Sequence, residues 1–175
     1  MKLKMIFCTN EKGYIGYRGN LLYSFEEDMK SFKKTTSGST VIMGFRTYQE
    51  MGKPLKNRTN IVVVNFNYPM PDFPDNVIVV KSLQDACIKA QEIAQDTFII
   101  GGGKLYSEAM SNLIEPFTVD EIYVTLVKDD LEGDTKSPDI PYLYEKEKID
   151  EVYDINRLDN QEYLLEFYKY SLKAW

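Results

Sequence analysis

Asp28 is the residue of this chain best placed for acid–base chemistry. Phe25, Met29 and Phe32 recur at helical spacing and form one apolar face, with Lys30, Lys33 and Lys34 on the opposite, solvated face. Asp28 falls beside the apolar stripe, next to Phe25 and Phe32, not among the lysines. A carboxylate held against aromatic rings loses solvation, and its pKa rises unless a cation or a hydrogen-bond donor meets it. Such a group suits an N–H-rich heterocycle whose protonation it can tune. The plainer alternative is an aspartate at the edge of a helix face that steadies the first turn through the helix dipole. The chain contains no histidine. Ser-His-Asp triads, Cys-His pairs and histidine-bound zinc are therefore excluded, and proton transfer falls to a carboxylate, a lysine, a tyrosine or water.

Glycines mark a second kind of site. Phe98-Ile99-Ile100 runs into Gly101-Gly102-Gly103-Lys104, and Thr40-Val41-Ile42-Met43 runs into Gly44-Phe45-Arg46-Thr47. A short apolar run ending in glycine reads as a buried strand. Glycine lets backbone N–H groups approach a guest with no Cβ in the way. A helix starting there favours an anion, and a basic residue follows in each case. A plain tight turn has the same local pattern. Two such strand ends side by side suit a pyrophosphate-containing cofactor at the carboxyl ends of parallel strands. Neither is the spaced-glycine dinucleotide fingerprint, since Tyr106 stands where a third glycine or alanine belongs, and neither is a Walker A loop, since Leu105 follows Lys104.

These residues need a scaffold of alternating elements. Strands are predicted at Leu3–Cys8, Thr40–Met43, Asn60–Val64, Val77–Val80, Phe98–Ile100 and Glu121–Val127. Helices are predicted at Phe25–Thr35, Phe45–Met51, Leu83–Ala94 and Lys104–Leu113. That alternation implies βαβ units. Glu151–Leu158 and Glu162–Leu172 flank Asp159-Asn160 and read as a terminal hairpin, entered through the charged turn Glu145–Glu151. The fold class is α/β: one domain over residues 1–175, a predominantly parallel central sheet of about eight strands, about four flanking helices and a C-terminal antiparallel hairpin. Ser24 and Glu27 have the spacing of a capping box for the first helix. Tyr68–Asp75 reads as a proline-stiffened loop.

Composition narrows the partners. The chain has 175 residues, 43% hydrophobic and 27% charged, with a formal net charge of −6. That balance argues against non-specific nucleic-acid binding. No apolar stretch is long enough to span a bilayer, and no cleavage signature follows Met1. Cys8 and Cys87 read as free thiols of a reducing compartment. The thirteen tyrosines read as strand and surface packing.

In their order along the chain the landmarks resemble the dihydrofolate reductase family. Ile15-Gly16 leads into Gly19-Asn20-Leu21-Leu22-Tyr23. Asp28, Phe32 and Thr36 follow on the first helix, then Ile42-Met43-Gly44 with Thr47, and Pro54-Leu55 with Arg58. Ile100-Gly101-Gly102-Gly103 with Tyr106, Tyr123 with Thr125, and Glu132-Gly133-Asp134-Thr135 complete the series. The resemblance spans residues 3 to about 172 and implies NADPH-dependent reduction of dihydrofolate to tetrahydrofolate. It implies Asp28, Tyr23, Leu21 and Tyr106 as catalytic residues, with Thr125 supporting Asp28 through water. It implies Ile6, Cys8, Phe32, Met51, Leu55, Arg58 and Ile100 as further substrate contacts, Arg58 gripping the glutamate α-carboxylate. Cofactor contacts would come from Cys8, Ile15, Gly16, Gly44, Phe45, Arg46 and Thr47. Val64, Asn65 and Lys81 follow, then Ile100, Gly101, Gly102, Gly103, Lys104, Leu105 and Tyr106. No metal is implied. Gly16–Ser24 resembles the family's closing lid, braced by Asp134.

Several positions depart from the family pattern. Leu21-Leu22-Tyr23 replaces a usual Leu-Pro-Trp. Phe45 follows Gly44 where arginine or lysine is usual, with the charge displaced to Arg46. Val64 fills a position that often carries a hydroxyl, with Asn65 beside it, and Ser137 replaces a frequent aromatic. Two other readings remain: a same-fold reductase of another pterin or a pyrimidine, as in the riboflavin pathway, and a non-catalytic binding protein. Asp28 and Arg58 together favour folate, because they match both ends of it. The expected protein is a cytoplasmic monomer with one small-molecule substrate and no nucleic-acid or membrane partner. Gly102 is expected to be the turn position where an added side chain would abolish cofactor binding.

Overall fold

Runs of apolar residues with no polar alternation form the middle of the sheet, as parallel strands covered on both faces require. The computed structural model describes residues 1–65 and 71–174. Among these, eleven strands and four helices follow one another along the chain. They are β1 (Leu3–Asn10), β2 (Tyr14–Tyr17), β3 (Asn20–Leu21), α1 (Glu26–Thr36), β4 (Thr40–Gly44), α2 (Phe45–Met51), β5 (Thr59–Val63) and β6 (Val77–Val80). Then come α3 (Leu83–Ile93), β7 (Thr97–Gly101), α4 (Gly103–Ser111), β8 (Glu121–Val127), β9 (Thr135–Lys136), β10 (Tyr144–Ile155) and β11 (Glu162–Leu172).

The main sheet has the order β10-β11-β8-β1-β7-β4-β5-β6. Its strands run parallel except β11, which is antiparallel to both neighbours. Met5, Val41, Ile42, Met43, Ile61, Val62 and Ile99 are fully buried at its centre. α3 lays Leu83, Ala86, Cys87 and Ala90 against it, and its start is capped by Ser82, whose hydroxyl oxygen accepts the Asp85 N–H at 3.0 Å. The alternating scaffold expected from the sequence is present.

Three features differ from the sequence expectations, and one expectation falls on residues that are not described. A second sheet, ordered β3-β2-β9, flanks the first; its strands are two to four residues long and too short to show a periodicity. The charged segment from Glu145 is strand, not turn. Its charges suit a sheet edge, and Lys148 pairs with Glu166 across the ladder at 2.9 Å. Tyr68–Met70 of the proline-rich loop lie outside the described residues.

The start of α1 is the third difference. Phe25, not Ser24, is the N-cap, and no side chain of the first turn caps it. The Glu27 N–H donates instead to Asp154 Oδ2 at 2.9 Å, and the Ser24 N–H donates to Asn156 Oδ1 at 2.9 Å. Both acceptors come from the end of β10, so the terminal hairpin orients the helix that carries Asp28. Asp154→Ala is expected to destabilise the fold by about 1 kcal/mol, the typical cost of a lost cap, while Asp154→Asn, which keeps an acceptor, loses less. Urea unfolding of the two variants measures the difference.

Candidate active site

The cleft opens where two neighbouring strands part. β1 pairs with β7 from Leu3/Thr97 to Met5/Ile99, whereas its pairing with β8 runs on to Asn10/Val127. Beyond Met5 one edge of β1 therefore faces the cleft. Tyr106, from the first turn of α4, donates its hydroxyl to the Ile6 carbonyl across this gap at 2.8 Å. Burial pushes its pKa up.

The glycine turn after β7 forms the next wall. Gly101 is buried with φ +140, a backbone conformation that only glycine adopts readily. A Cβ there would lie 3.3 Å from Thr47 Oγ1 and 3.4 Å from the Tyr106 hydroxyl. At Gly102 an added Cβ would meet only Thr47 Oγ1, at an ordinary 3.6 Å. Against the protein's own atoms, Gly101 is therefore the tighter of the two positions. At Gly103 a Cβ would come within 2.7 Å of Thr135 Cγ2. α4 begins here with no side-chain cap, so its first N–H groups face the turn without one. Gly44 ends β4 alongside, with its Cβ direction 3.8 Å from the Gly101 carbonyl oxygen.

Around these glycines lies a cavity of about 1040 Å³. Of the residues expected to hold a cofactor, Cys8, Ile15, Gly16, Gly44, Phe45, Arg46 and Thr47 line it, as do Asn65, Lys81 and every residue from Ile100 to Tyr106. Val64 does not: it is buried in the core, and Val63 faces the cavity instead. Strand alternation explains the shift, because successive side chains point to opposite faces. Phe45 packs against Phe73 with ring centroids 5.9 Å apart. Arg46 lies over Gly19 of the second sheet, where a Cβ would collide with its guanidinium, and pairs with Glu50 at 3.6 Å. Phe7, Asn20, Ser82, Glu108 and Thr135 also line the cavity and were not anticipated.

Asp28 is not among the residues that line this cavity, but its charge acts on Cys8, which is. Thr125 on β8 donates its hydroxyl directly to Asp28 Oδ1 at 2.6 Å, where a water-mediated contact was expected. Burial nevertheless raises the Asp28 pKa above the ordinary carboxylate value, the Thr125 hydrogen bond opposing it. Burial, reinforced by the Asp28 charge, also holds the Cys8 thiol protonated. One turn along α1, Phe32 lies under the Arg58 guanidinium, 6.0 Å from ring centroid to Cζ. Arg58 donates to the Lys56 carbonyl at 2.8 Å and to Thr36 Oγ1 at 3.1 Å. It has no acidic partner among the described residues, and burial lowers its pKa. Met51 lines the cavity, and Leu55 packs on the same core cluster as Ile6 and Ile100.

The segment expected to act as a lid is β2, β3 and the turn between them. Leu21 lines the cavity and is 70% exposed. Tyr23 is buried outside it: its hydroxyl donates to Asp129 Oδ2 at 2.7 Å and accepts from Asn10 Nδ2 at 2.9 Å, and its ring stacks on Phe25. Asp134 ties the segment down, accepting the Arg18 N–H at 3.0 Å and donating its own N–H to the Gly16 carbonyl at 2.9 Å. Gly133 is required beside it, because a Cβ would overlap the Gly16 carbonyl oxygen. Asn10 and Asp129 give no local sequence signal, since their partner Tyr23 is remote from Asp129 in the chain.

A glycine-walled cleft at the carboxyl ends of parallel strands, next to a desolvated carboxylate, is the arrangement of α/β enzymes that set a nucleotide against a nitrogen heterocycle. Comparison with known proteins gives the particular family. The family model described as dihydrofolate reductase matches residues 2–171. The dihydrofolate reductase of Bacillus subtilis is 33% identical over 139 residues, covering 78% of this chain and 76% of that protein. That of Staphylococcus aureus is 30% identical over 148 residues, covering 83% and 82%. A solved dihydrofolate reductase from Enterococcus faecalis, complexed with NADP(H) and RAB-propyl, superposes with a TM-score of 0.76 at 29% identity, over 99% of this chain and 97% of that one. The chain belongs to the dihydrofolate reductase family.

The turn geometry separates two neighbouring glycines. Gly101→Ala is expected to lose roughly 1–3 kcal/mol of stability through its positive φ and to weaken nucleotide binding, whereas Gly102→Ala keeps its stability closer to wild type. Chemical unfolding and NADPH titration by fluorescence measure the two effects.

Proposed function

We propose that this chain is an oxidoreductase that reduces dihydrofolate to tetrahydrofolate with NADPH. The observation that carries the reading is a pair of complementary groups along one face of α1. Among the described residues, Asp28 is a desolvated carboxylate with no cation beside it, and Arg58 is a half-buried guanidinium with no acidic partner. A folate presents donor N–H groups at its pterin end and a carboxylate at its glutamate end, and so completes both. A smaller pterin or pyrimidine would leave Arg58 without a carboxylate.

The residues of the cleft fit the cofactor. The uncapped N-terminus of α4, the Gly101–Gly103 turn and Thr47 offer N–H and hydroxyl donors to a pyrophosphate. Lys81 and Lys104, both in the cavity wall, supply positive charge for a further phosphate. When bound, NADPH supplies the hydride for pterin C6. Cys8, Ile15, Ile100 and Tyr106 hold the two rings together and keep water out. Asp28 accepts the pterin N–H groups and favours the protonated heterocycle, and water delivers the proton to N5. Leu21 closes over the rings, while Tyr23, held by Asn10 and Asp129, sets the base from which the lid moves.

Two free cysteines, Cys87 buried and Cys8 in the cavity wall, suit the reducing cytoplasm. Among the described residues no helix is long and apolar enough to cross a membrane.

Asp28→Asn separates the functional reading from a purely structural one. Turnover of dihydrofolate near neutral pH, followed by nicotinamide absorbance, is expected to fall by about 10²–10⁴-fold; near-wild-type turnover would overturn the role. Stability moves the other way. A carboxyl group with a raised folded-state pKa favours folding most when protonated, so its cost grows as pH rises above the ordinary carboxylate value. The variant is therefore expected to unfold at higher urea than wild type at neutral pH, with the gain shrinking as pH falls through the carboxylate range.

A further inference from the structure

The hydrogen bonds that hold the lid converge on one side chain. Asn10, at the end of β1, is 2% exposed, and its amide makes four hydrogen bonds. Oδ1 accepts the Lys12 N–H and the Tyr14 N–H, both at 3.1 Å. Nδ2 donates to the Tyr23 hydroxyl at 2.9 Å and to the Leu131 carbonyl at 2.7 Å. These bonds use both lone pairs and both hydrogens, the full capacity of an amide. They also fix which way it points, because a flipped amide would set its NH2 against two backbone N–H donors.

The partners mark the entry, the exit and the brace of the lid. Lys12 leads in and Tyr14 opens β2, where Thr9 Oγ1 adds a hydrogen bond to the Tyr14 carbonyl at 3.2 Å. Tyr23 ends the segment, just beyond β3. Leu131 belongs to the loop that continues to Asp134, which holds Gly16 and Arg18 in the middle of the lid. Between the two pinned ends, Ile15, Gly16, Gly19, Asn20 and Leu21 face the cavity. β1 supplies Phe7 and Cys8 to the same wall. Asn10 itself does not line the cavity, so it can act on the site only through what it holds.

We propose that Asn10 is a positioning residue for the lid: one buried amide ties both ends of residues 14–23, and the loop that braces their middle, to β1, so that the lid closes over the reacting rings as one body. The inference rests on the folate reading for the rings that the lid covers. Hydride transfer needs the two rings held within a fraction of an ångström of their reacting positions. A lid pinned by buried, fully paired bonds returns to the same place at each closure. With the amide removed, two backbone N–H groups and a carbonyl lose their shared partner, and the entry and exit of the lid become independent of each other.

The test compares Asn10→Ala and Tyr23→Phe with Tyr144→Phe, which removes a hydroxyl-to-carbonyl bond outside this network, from Tyr144 to Val119 at 2.6 Å. Amide hydrogen exchange is first read in the free protein. Residues 15–22 are expected to exchange about tenfold faster, and together, in the first two variants, and at the wild-type rate in the third. Single-turnover hydride transfer from NADPH to dihydrofolate is then expected to slow roughly tenfold in Asn10→Ala and Tyr23→Phe. In both, kcat falls more than KM rises, and the isotope effect of deuterated NADPH on kcat grows. Tyr144→Phe stays within about twofold of wild type. Faster exchange confined to the end of the lid next to each substitution, or hydride transfer at the wild-type rate, would overturn the proposal. If Asn10→Ala does not fold, Tyr23→Phe carries both readouts. Absence of dihydrofolate turnover by the wild type would instead strike the folate reading, and the exchange pattern of the free protein would then decide the role of Asn10.

Discussion

Everything in the site depends on the parting of β1 from β7. A parallel sheet satisfies its backbone groups by pairing, and where pairing stops those groups need another partner. β1 keeps its ladder to β8 through Asn10/Val127 while its ladder to β7 ends at Met5/Ile99. The resulting notch is braced by Tyr106 at the Ile6 carbonyl and walled by Gly101, which turns the chain away where any side chain would strike Thr47 or Tyr106. The strand order supplies the rest. β7 follows β4, β5 and β6 in the chain yet sits between β1 and β4, so the ends of three strands distant in sequence meet at one point.

Two ionisable groups are then left incomplete by the protein alone. Among the described residues, Asp28 is desolvated and hydrogen-bonded by the Thr125 hydroxyl alone, and Arg58 is half-buried and meets a carbonyl, a hydroxyl and the Phe32 ring but no carboxylate. An interior arranged for stability alone would pair such groups or replace them by apolar ones. Their separation along α1 reads as stability given up for binding, and it measures the guest: a polar heterocycle at one end, a carboxylate at the other.

Much of this was legible in the sequence wherever its cause was local. β6, β8 and α2 begin and end where periodicity and punctuation place them. The glycine-led strand ends could be read because glycine records the close approach of a neighbour. Asp28 could be placed beside Phe25 and Phe32 because helical spacing is fixed. What could not be read was made by contacts across the chain. Ser24 and Glu27 have the spacing of a cap, yet the Glu27 N–H goes to Asp154, which no local rule selects. Tyr23 has the character of a lid residue, but Asn10 and Asp129 draw its hydroxyl into the core. The edge strand β10 is too charged to show the alternation of a half-buried strand.

The hairpin at the end of the chain also sets an order of events in the cell. α1 and its carboxylate are synthesised before the groups that seat the helix, Asp154, 127 residues after its partner Glu27, and Asn156, 132 residues after Ser24, and before the strand that closes β8, β11. A ribosome releases a chain from its N-terminus at a pace slow compared with helix formation. The nascent protein therefore carries its catalytic helix without these two acceptors until the hairpin has itself been made.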